Sequence, residues 1–282
     1  MNAAGQTIAA ALAAARARLS ASPTAALDAE LLLAHALGRG RSHLHAWPEA
    51  ALPPATQAQF EALVRRRAGS EPIAYLLGQR EFWSLDLRIT PDVLIPRPET
   101  EGLVEIALAQ LSASETIAPS ILDAGTGSGC IALALAHERP DAQVVAVEHS
   151  TAALALARQN AERLGVSVEF LQGEWLEPVA GRRFHVIVSN PPYVRSDDPH
   201  LEQGDARFEP RAALDGGPDG LDAIRVLATQ AGAHLSPGGL LALEHGADEA
   251  NAVARILTDS GWSAIELHDD LASLPRFVTA RQ

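Results

Sequence analysis

Lysine is missing from this chain and cysteine occurs once. With Cys130 alone, no internal disulfide and no cluster of thiolate metal ligands can form, which fits a reducing compartment such as the cytoplasm. Arginine supplies all 22 basic side chains, a compositional bias rather than a functional signal. Long hydrophobic runs are also missing: apolar stretches such as 131–136 fall far short of the ~20 residues a membrane-spanning helix needs. The N-terminus is rich in alanine but has no basic residue before Arg16, so it reads as an amphipathic helix rather than a secretory signal. The expectation is a soluble protein. Positive charge is scarce over most of the length. Up to Ile95 there are nine Arg against eight Asp or Glu; from Pro96 onward there are 13 Arg against 27 acids, within a net charge of -13. A protein that grips a nucleic-acid backbone concentrates positive charge, because counterion release supplies much of its affinity. This chain is poorly built for that.

A length of 282 residues suggests two domains, and a hydrophobic fraction of 47% is ordinary for a globular protein. Apolar residues recur at helical spacing through the first third: Ile8, Leu12 and Leu19, then Leu27, Leu31, Leu32 and Leu37, then Phe60, Leu63 and Val64. Pro23, Gly38, Gly40, Pro53 and Pro54 break the pattern, which predicts a small helical bundle over 1–77. Aromatic and alternating apolar residues over 82–89 predict a hairpin inside a linker spanning 78–97. From 98 to 282 the pattern alternates. Short apolar runs at 121–122, 144–147, 168–171, 186–188 and 240–243 read as strands, and 131–137, 152–164 and 222–235 as helices. The expected fold class is α/β, a Rossmann-like doubly wound sheet of mainly parallel strands with a small N-terminal helical bundle. Ligands in such sheets bind beyond the carboxyl ends of the strands.

The first of those strands ends in Asp123-Ala124-Gly125-Thr126-Gly127-Ser128-Gly129 and opens into a helix. Dinucleotide enzymes space their glycines G-x-G-x-x-G; here the third glycine falls one residue early and Cys130 takes the expected place. This is the spacing of S-adenosylmethionine enzymes, whose loop wraps the methionine part of the cofactor. A tight turn with no ligand uses the same residues. Glu148 closes the second strand about 20 residues beyond, where an acid can accept hydrogen bonds from both ribose hydroxyls, or simply face solvent. Glu174 and Trp175 follow the third strand. There Trp175 can lie on an adenine face, with Glu174 accepting from the amino group, or Trp175 can pack in the core.

The sharpest motif is Asn190-Pro191-Pro192-Tyr193, directly after the fourth strand. Two prolines fix the shape of the turn and remove backbone donors. That leaves carbonyls and the Asn190 side-chain oxygen to accept from a substrate NH2, with the Tyr193 ring beside that flat group.

In this position N-P-P-Y resembles the amino-methyltransferases that act on planar nitrogens of adenine, cytosine, guanine or protein glutamine. Leu94-Ile95-Pro96-Arg97-Pro98-Glu99-Thr100-Glu101, Gly78-Gln79-Arg80-Glu81-Phe82-Trp83 and Phe208-Glu209-Pro210-Arg211-Ala212-Ala213-Leu214 narrow the resemblance to release factor glutamine methyltransferases of the HemK/PrmC type. The likeness runs over nearly the whole chain, with Glu148 standing where that family more often has Asp. It implies a class I methyltransferase fold, a helical domain that recognises peptide chain release factors, and methylation of N5 of the glutamine in their GGQ motif. It implies that Gly125, Thr126, Gly127, Ser128, Gly129, Glu148 and Trp175 bind S-adenosyl-L-methionine. Asn190, Pro191, Pro192 and Tyr193 would hold the glutamine as catalytic and substrate-binding residues, Asn190 lying close to the cofactor as well. Arg97 and Glu209 would line the substrate mouth.

Other residues favour plainer readings. His43 and His45 lack companion ligands and read as surface positions rather than a metal site. Cys130 reads as a small residue packed behind the glycine loop. Arg65, Arg66 and Arg67 form either a docking patch or the solvated end of a helix. His245 follows Glu244 at a strand end without a nucleophile nearby. Three rival functions remain. A nucleic-acid amino-methyltransferase would use the same pocket on a flipped base but is opposed by the acidic second part. A non-catalytic cofactor-binding scaffold is opposed by the intact acceptor pocket, and a dinucleotide oxidoreductase by the glycine spacing.

Overall fold

Leucine and alanine recurring three and four residues apart wind the first third into five helices: α1 (Ile8–Arg18), α2 (Ala25–Leu37), α3 (Arg41–Ala46), α4 (Pro54–Ala68) and α5 (Ile73–Leu77). Ile8, Leu19, Leu32, Leu33, Leu44, Phe60 and Val64 meet in their shared core. Asp28 is buried in α2, where it accepts the Ser22 and Thr24 hydroxyls and the Nε of Arg67 at the end of α4, each at 2.8 Å. In the computed structural model, which describes residues 6–113 and 116–282, contacts divide the chain into two units, Met1–Gly78 and Gln79–Gln282. Neither contains, among the described residues, a helix long and apolar enough to cross a membrane.

The second unit opens with a hairpin of β1 (Gln79–Phe82) and β2 (Leu85–Arg88). Trp83 and Ser84 between them take positive φ (53° and 58°), as a two-residue turn matched to the strand twist requires. After α6 (Glu101–Ser112) the strand-helix alternation begins: β3 (Ser120–Ala124), α7 (Cys130–Glu138), β4 (Gln143–Glu148), α8 (Thr151–Leu164), β5 (Glu169–Gln172), β6 (Phe184–Ser189), α9 (Asp222–Gln230), β7 (Leu235–Glu244), α10 (Ala250–Asp259), β8 (Ser263–Asp269) and β9 (Pro275–Arg281). One seven-stranded sheet results, in the order β5-β4-β3-β6-β7-β9-β8. Only β9 runs against its neighbours. Leu122, Val145, Ile187 and Leu241 on its strands pack with Ile224, Leu227, Val253 and Leu257 from α9 and α10.

The expected α/β class with a helical N-terminal bundle is what the chain forms. One helix is shorter than its pattern. Residues 222–235 predict a single helix, but α9 stops at Gln230, a 3-10 turn follows over Ala231–His234, and Leu235 already begins β7. Gly232 lies against the Gln282 side chain and interrupts the helix-forming run, so the chain tightens there before reversing into the sheet. Strand order reverses between β3 and β6. The crevice beyond their carboxyl ends is therefore the switch point at which such sheets bind ligands.

Candidate active site

The loops after β3, β4, β5 and β6 surround a cavity of about 340 Å³. Gly125, Thr126, Gly127 and Ser128 line it after β3, Glu148 after β4, Glu174 and Trp175 after β5, and Asn190 and Pro192 after β6. Gly129, Pro191 and Tyr193 are not among its lining residues.

The glycine loop is held by two carboxyls. Gly125 N and Thr126 N both donate to the Val147 carbonyl, which ties the loop to the end of β4. Glu148 then accepts Gly127 N through Oε2 and Ser150 N through Oε1, each at 2.8 Å. Each carboxylate oxygen keeps a second lone pair for a ligand. Beneath the loop, Asp123 accepts the Thr126 hydroxyl at 2.6 Å and Ala132 N at 3.2 Å, both on Oδ2. Oδ1 has no hydrogen-bond partner among the described residues, and burial pushes this carboxyl up to about 7.

Glycine is required here for two separate reasons. Gly125 has φ +79°, and a Cβ there would stand 3.4 Å from the Trp175 ring, in the space the loop leaves open. At Gly129, φ +88° combines with close packing: a Cβ would lie 3.0 Å from Leu133 Cδ1 and 3.3 Å from Ala157 Cβ. Trp175 has φ +47°, a conformation that costs a bulky residue on the order of 1–3 kcal/mol and that persists at sites where the surroundings dictate it. The loop has a further anchor in Asn160 of α8, fully buried. Its Nδ2 donates to the Ser128 and Arg88 carbonyls at 3.0 and 3.1 Å, and its Oδ1 accepts Arg88 N at 2.8 Å.

Across the cavity, Asn190 Nδ2 donates to the Thr100 hydroxyl at 3.1 Å. The Tyr193 hydroxyl donates to Glu244 Oε1 at 3.1 Å, and burial beside that carboxyl raises the phenol's pKa. Glu244 ends β7 and is 1% exposed. Burial pushes it up to about 7, against the pull of the Thr100 and Tyr193 hydroxyls and the Arg276 charge. Past Tyr193, Val194 exchanges backbone hydrogen bonds with Leu214 and Gly216, lashing the turn to the 214–217 loop. Arg97 lines the cavity and donates to Glu209 Oε2 at 2.5 Å, while Glu209 Oε1 accepts Ile95 N at 3.0 Å. The two proline-rich segments that carry Arg97 and Glu209 are thereby clipped together, and Pro210, Ala212 and Ala213 reach the cavity wall. Glu209 itself is buried behind the wall, and burial raises its pKa.

Asp123 and Thr100 fall inside the glycine-loop and proline-rich motifs, but residue type alone assigns neither a role. Glu244 was legible only as a carboxyl-end position. Asn160 carries no signal at all, since it lies mid-helix, 32 residues from the Ser128 carbonyl it caps.

The plainer candidates also find places. Cys130 borders the cavity, and burial pushes its thiol up to about 12. His245 is fully buried with Nδ1 against the Gly246 carbonyl, and burial lowers its pKa. Arg66 pairs with Glu71 and Arg67 with Asp28; Arg65 and Arg66 are exposed and Arg67 is half-buried. His45 Nε2 lies 3.6 Å from Glu30.

Residues 10–78 match the PrmC N-terminal domain and residues 105–208 the methyltransferase small domain. A release factor glutamine methyltransferase of Burkholderia pseudomallei is 52% identical over 92% of this chain and 92% of its own length. One of Vibrio cholerae is 48% identical over 96% of this chain and 95% of its own. Among solved structures, a methyltransferase from Pyrococcus furiosus aligns at 21% identity with a TM-score of 0.51, covering 70% of this chain and 88% of its own, a likeness of fold. This chain belongs to the release factor glutamine methyltransferase family.

Proposed function

We propose that this chain methylates the side-chain N5 of the glutamine in the GGQ motif of peptide chain release factors, with S-adenosyl-L-methionine as methyl donor. The carrying observation is Asn190. Its Nδ2 is committed to Thr100, so its Oδ1, which accepts nothing from the described residues, is the end left for an acceptor NH2 at the wall shared with the glycine loop.

The residues present fit that donor. Gly125 leaves open, next to the Trp175 ring, a space that a Cβ would fill. Glu148 stands at the strand end with lone pairs free for ribose hydroxyls. When bound, S-adenosylmethionine supplies an electrophilic methyl carbon on a sulfonium. In this reading Gly125, Thr126, Gly127, Ser128, Gly129, Glu148 and Trp175 hold it. Asn190 Oδ1 and the Pro191 carbonyl each accept one N–H of the glutamine amide, while Pro192 and Tyr193 shape the turn that presents them.

An amide nitrogen is a weak nucleophile because its lone pair is delocalised into the carbonyl. Two acceptors on its hydrogens concentrate electron density on nitrogen and fix its direction, and no strong base is needed beforehand because the nitrogen becomes acidic as it is alkylated. Holding two reactants in register is worth roughly 7 to 11 kcal/mol, enough to make orientation the principal catalytic device. The helical unit before Gly78 serves as the recognition domain for the folded factor, 78–97 as the link and 98–282 as the catalytic domain. A balance of nine Arg to eight acids up to Ile95 makes shape and apolar contact, rather than long-range attraction, the basis of docking. The cytoplasm, where translation terminates, is the place of action.

The test is to incubate the purified protein with labelled donor and offer release factor, duplex DNA and ribosomal RNA separately. Label on the release-factor glutamine is expected. Preferential labelling of either nucleic acid overturns the reading, since a flipped base would occupy the same pocket.

A further inference from the structure

We infer that Thr100 and Glu244 are positioning residues that hold the Asn190 side chain with Oδ1, not its NH2, toward the acceptor amide. The inference rests on the reading of the site given above. An asparagine amide is nearly the same shape either way round, but its two ends have opposite chemistry. With NH2 toward the cavity, donors of Asn190 would face the donors of the glutamine amide, and the acceptor hydrogen bond would be lost.

Thr100 alone cannot decide between the two orientations, because a hydroxyl both donates and accepts. What decides is the group on its other side. The Glu244 carboxyl stands beside Thr100, and its Oε2 has no hydrogen-bond partner among the described residues. Ionised, that carboxyl is the acceptor available to the Thr100 O–H, which leaves the Thr100 oxygen lone pair for Asn190 Nδ2, 3.1 Å away. The same carboxyl accepts the Tyr193 hydroxyl at 3.1 Å through Oε1. Both ends of the Asn190-Pro191-Pro192-Tyr193 turn are therefore referred to one buried side chain, Asn190 through Thr100 and Tyr193 directly. Strand pairing makes this placement rigid: β6 and β7 are in register at Ser189 and Leu243, which sets Asn190 and Glu244 at the ends of adjacent parallel strands. Thr100 is 2% exposed, so water does not replace it cheaply.

The experiment compares wild type, Thr100→Val, Thr100→Ser and Glu244→Gln on intact release factor. Thermal unfolding and donor binding report that each variant is folded. Thr100→Val keeps the shape and removes the hydroxyl; we expect kcat to fall roughly 10- to 100-fold, as for the loss of a group that orients a working side chain, with KM for factor and donor nearly unchanged. Thr100→Ser should recover most of the loss. Glu244→Gln can still accept from Tyr193, but its NH2 offers Thr100 a donor. That turns the threonine O–H toward Asn190 and favours the wrong orientation, so kcat should again fall with little change in KM.

A second readout is independent of turnover. The side-chain amide protons of Asn190, assigned by their disappearance in Asn190→Asp, should exchange slowly in wild type and in Thr100→Ser, and faster in Thr100→Val. Unchanged kcat in folded Thr100→Val, or Thr100→Ser no better than Thr100→Val, overturns the inference. Should wild type label no release factor, it is the functional reading that fails. The exchange measurement then decides the inference alone, fast wild-type exchange overturning it.

Discussion

The two units bury carboxyl groups in opposite ways. In the helical unit Asp28 is 3% exposed and surrounded by donors, two hydroxyls and the Arg67 guanidinium. In the sheet unit Asp123 and Glu244 are buried at least as deeply, yet each keeps one oxygen without a partner among the described residues, and burial pushes both up to about 7. A carboxylate that only joins helices is satisfied by its neighbours, as buried polar groups generally are. Those at the carboxyl ends of β3 and β7 lie under the glycine loop and under the N-P-P-Y turn, where under-satisfied titratable groups gather at working sites. The contrast separates a helical region whose buried carboxyl is fully paired from a sheet region whose buried carboxyls sit, incompletely paired, beneath the loops that wall the cavity.

The largest effect that would break this contrast is expected at Asn190. Asn190→Ala should lower methyl transfer about 10³-fold, the size of losing one preorganised hydrogen-bonding group at a reacting centre. Donor affinity, measured by titration calorimetry, should stay within a few-fold. Near-normal turnover would remove Asn190 from the acceptor side. Next in size is the buried pair of the helical unit. Arg67→Met leaves Asp28 buried beside only two hydroxyls, and breaking such a pair from one side costs about 3 kcal/mol. Hydrogen exchange should show that loss in the amides of α2 and α4, while donor binding in the sheet unit is untouched. A cost below about 1 kcal/mol would mean that the hydroxyls suffice, and the two units would then treat their carboxyls alike.

How much of this could be read beforehand depended on whether the signal was local. The strands β3, β4, β6 and β7 each contain the apolar run that announced them, because buried parallel strands are continuous stretches of apolar residues bounded by turns, while the half-exposed β5 starts one residue after its expected run. By contrast β9 and, beside it, β8 have no counterpart among the expected strands. The residues of β8 are mostly exposed, so Ser263–Asp269 shows no buried run, and its pairing with β9 depends on contacts the local pattern does not encode. The site divides in the same way. The glycine loop, Glu148, Trp175 and N-P-P-Y are contiguous motifs whose chemistry can be argued from residue type, and most of them line one cavity. Thr100 and Glu244 act, in our inference, only through the fold. They are 144 positions apart: the β6–β7 register sets Glu244 beside the turn, and Thr100 meets it from the segment just before α6 through Asn190. Asn160 is legible only once α8 is placed against β2 and the glycine loop.

The smallest expected effect concerns pH. Asp123 moves from an ordinary 3.8 to about 7 in the folded protein, so the native state holds this proton more tightly than the unfolded chain does. The stability that follows is fully present below about pH 4 and is lost as pH rises through about 7, the reverse of a salt-bridged carboxylate. Glu244 and Glu249, also raised to about 7 by burial, add slopes of the same sign. Asp123→Asn mimics the protonated form at every pH and can still accept the Thr126 hydroxyl and Ala132 N. Urea unfolding at a series of pH values between 4.5 and 7.5 should therefore show wild type losing stability faster than the variant. The difference that accumulates should be on the order of 1–2 kcal/mol, because the surroundings relax around the charge. The variant's offset at pH 4.5 is a separate quantity, the cost of the new amide in an apolar place; the slope alone tests the carboxyl. Parallel curves would mean that Asp123 ionises as readily in the folded state as in the unfolded one. The sheet unit would then bury the Asp123 carboxyl at no greater cost than the helical unit buries Asp28.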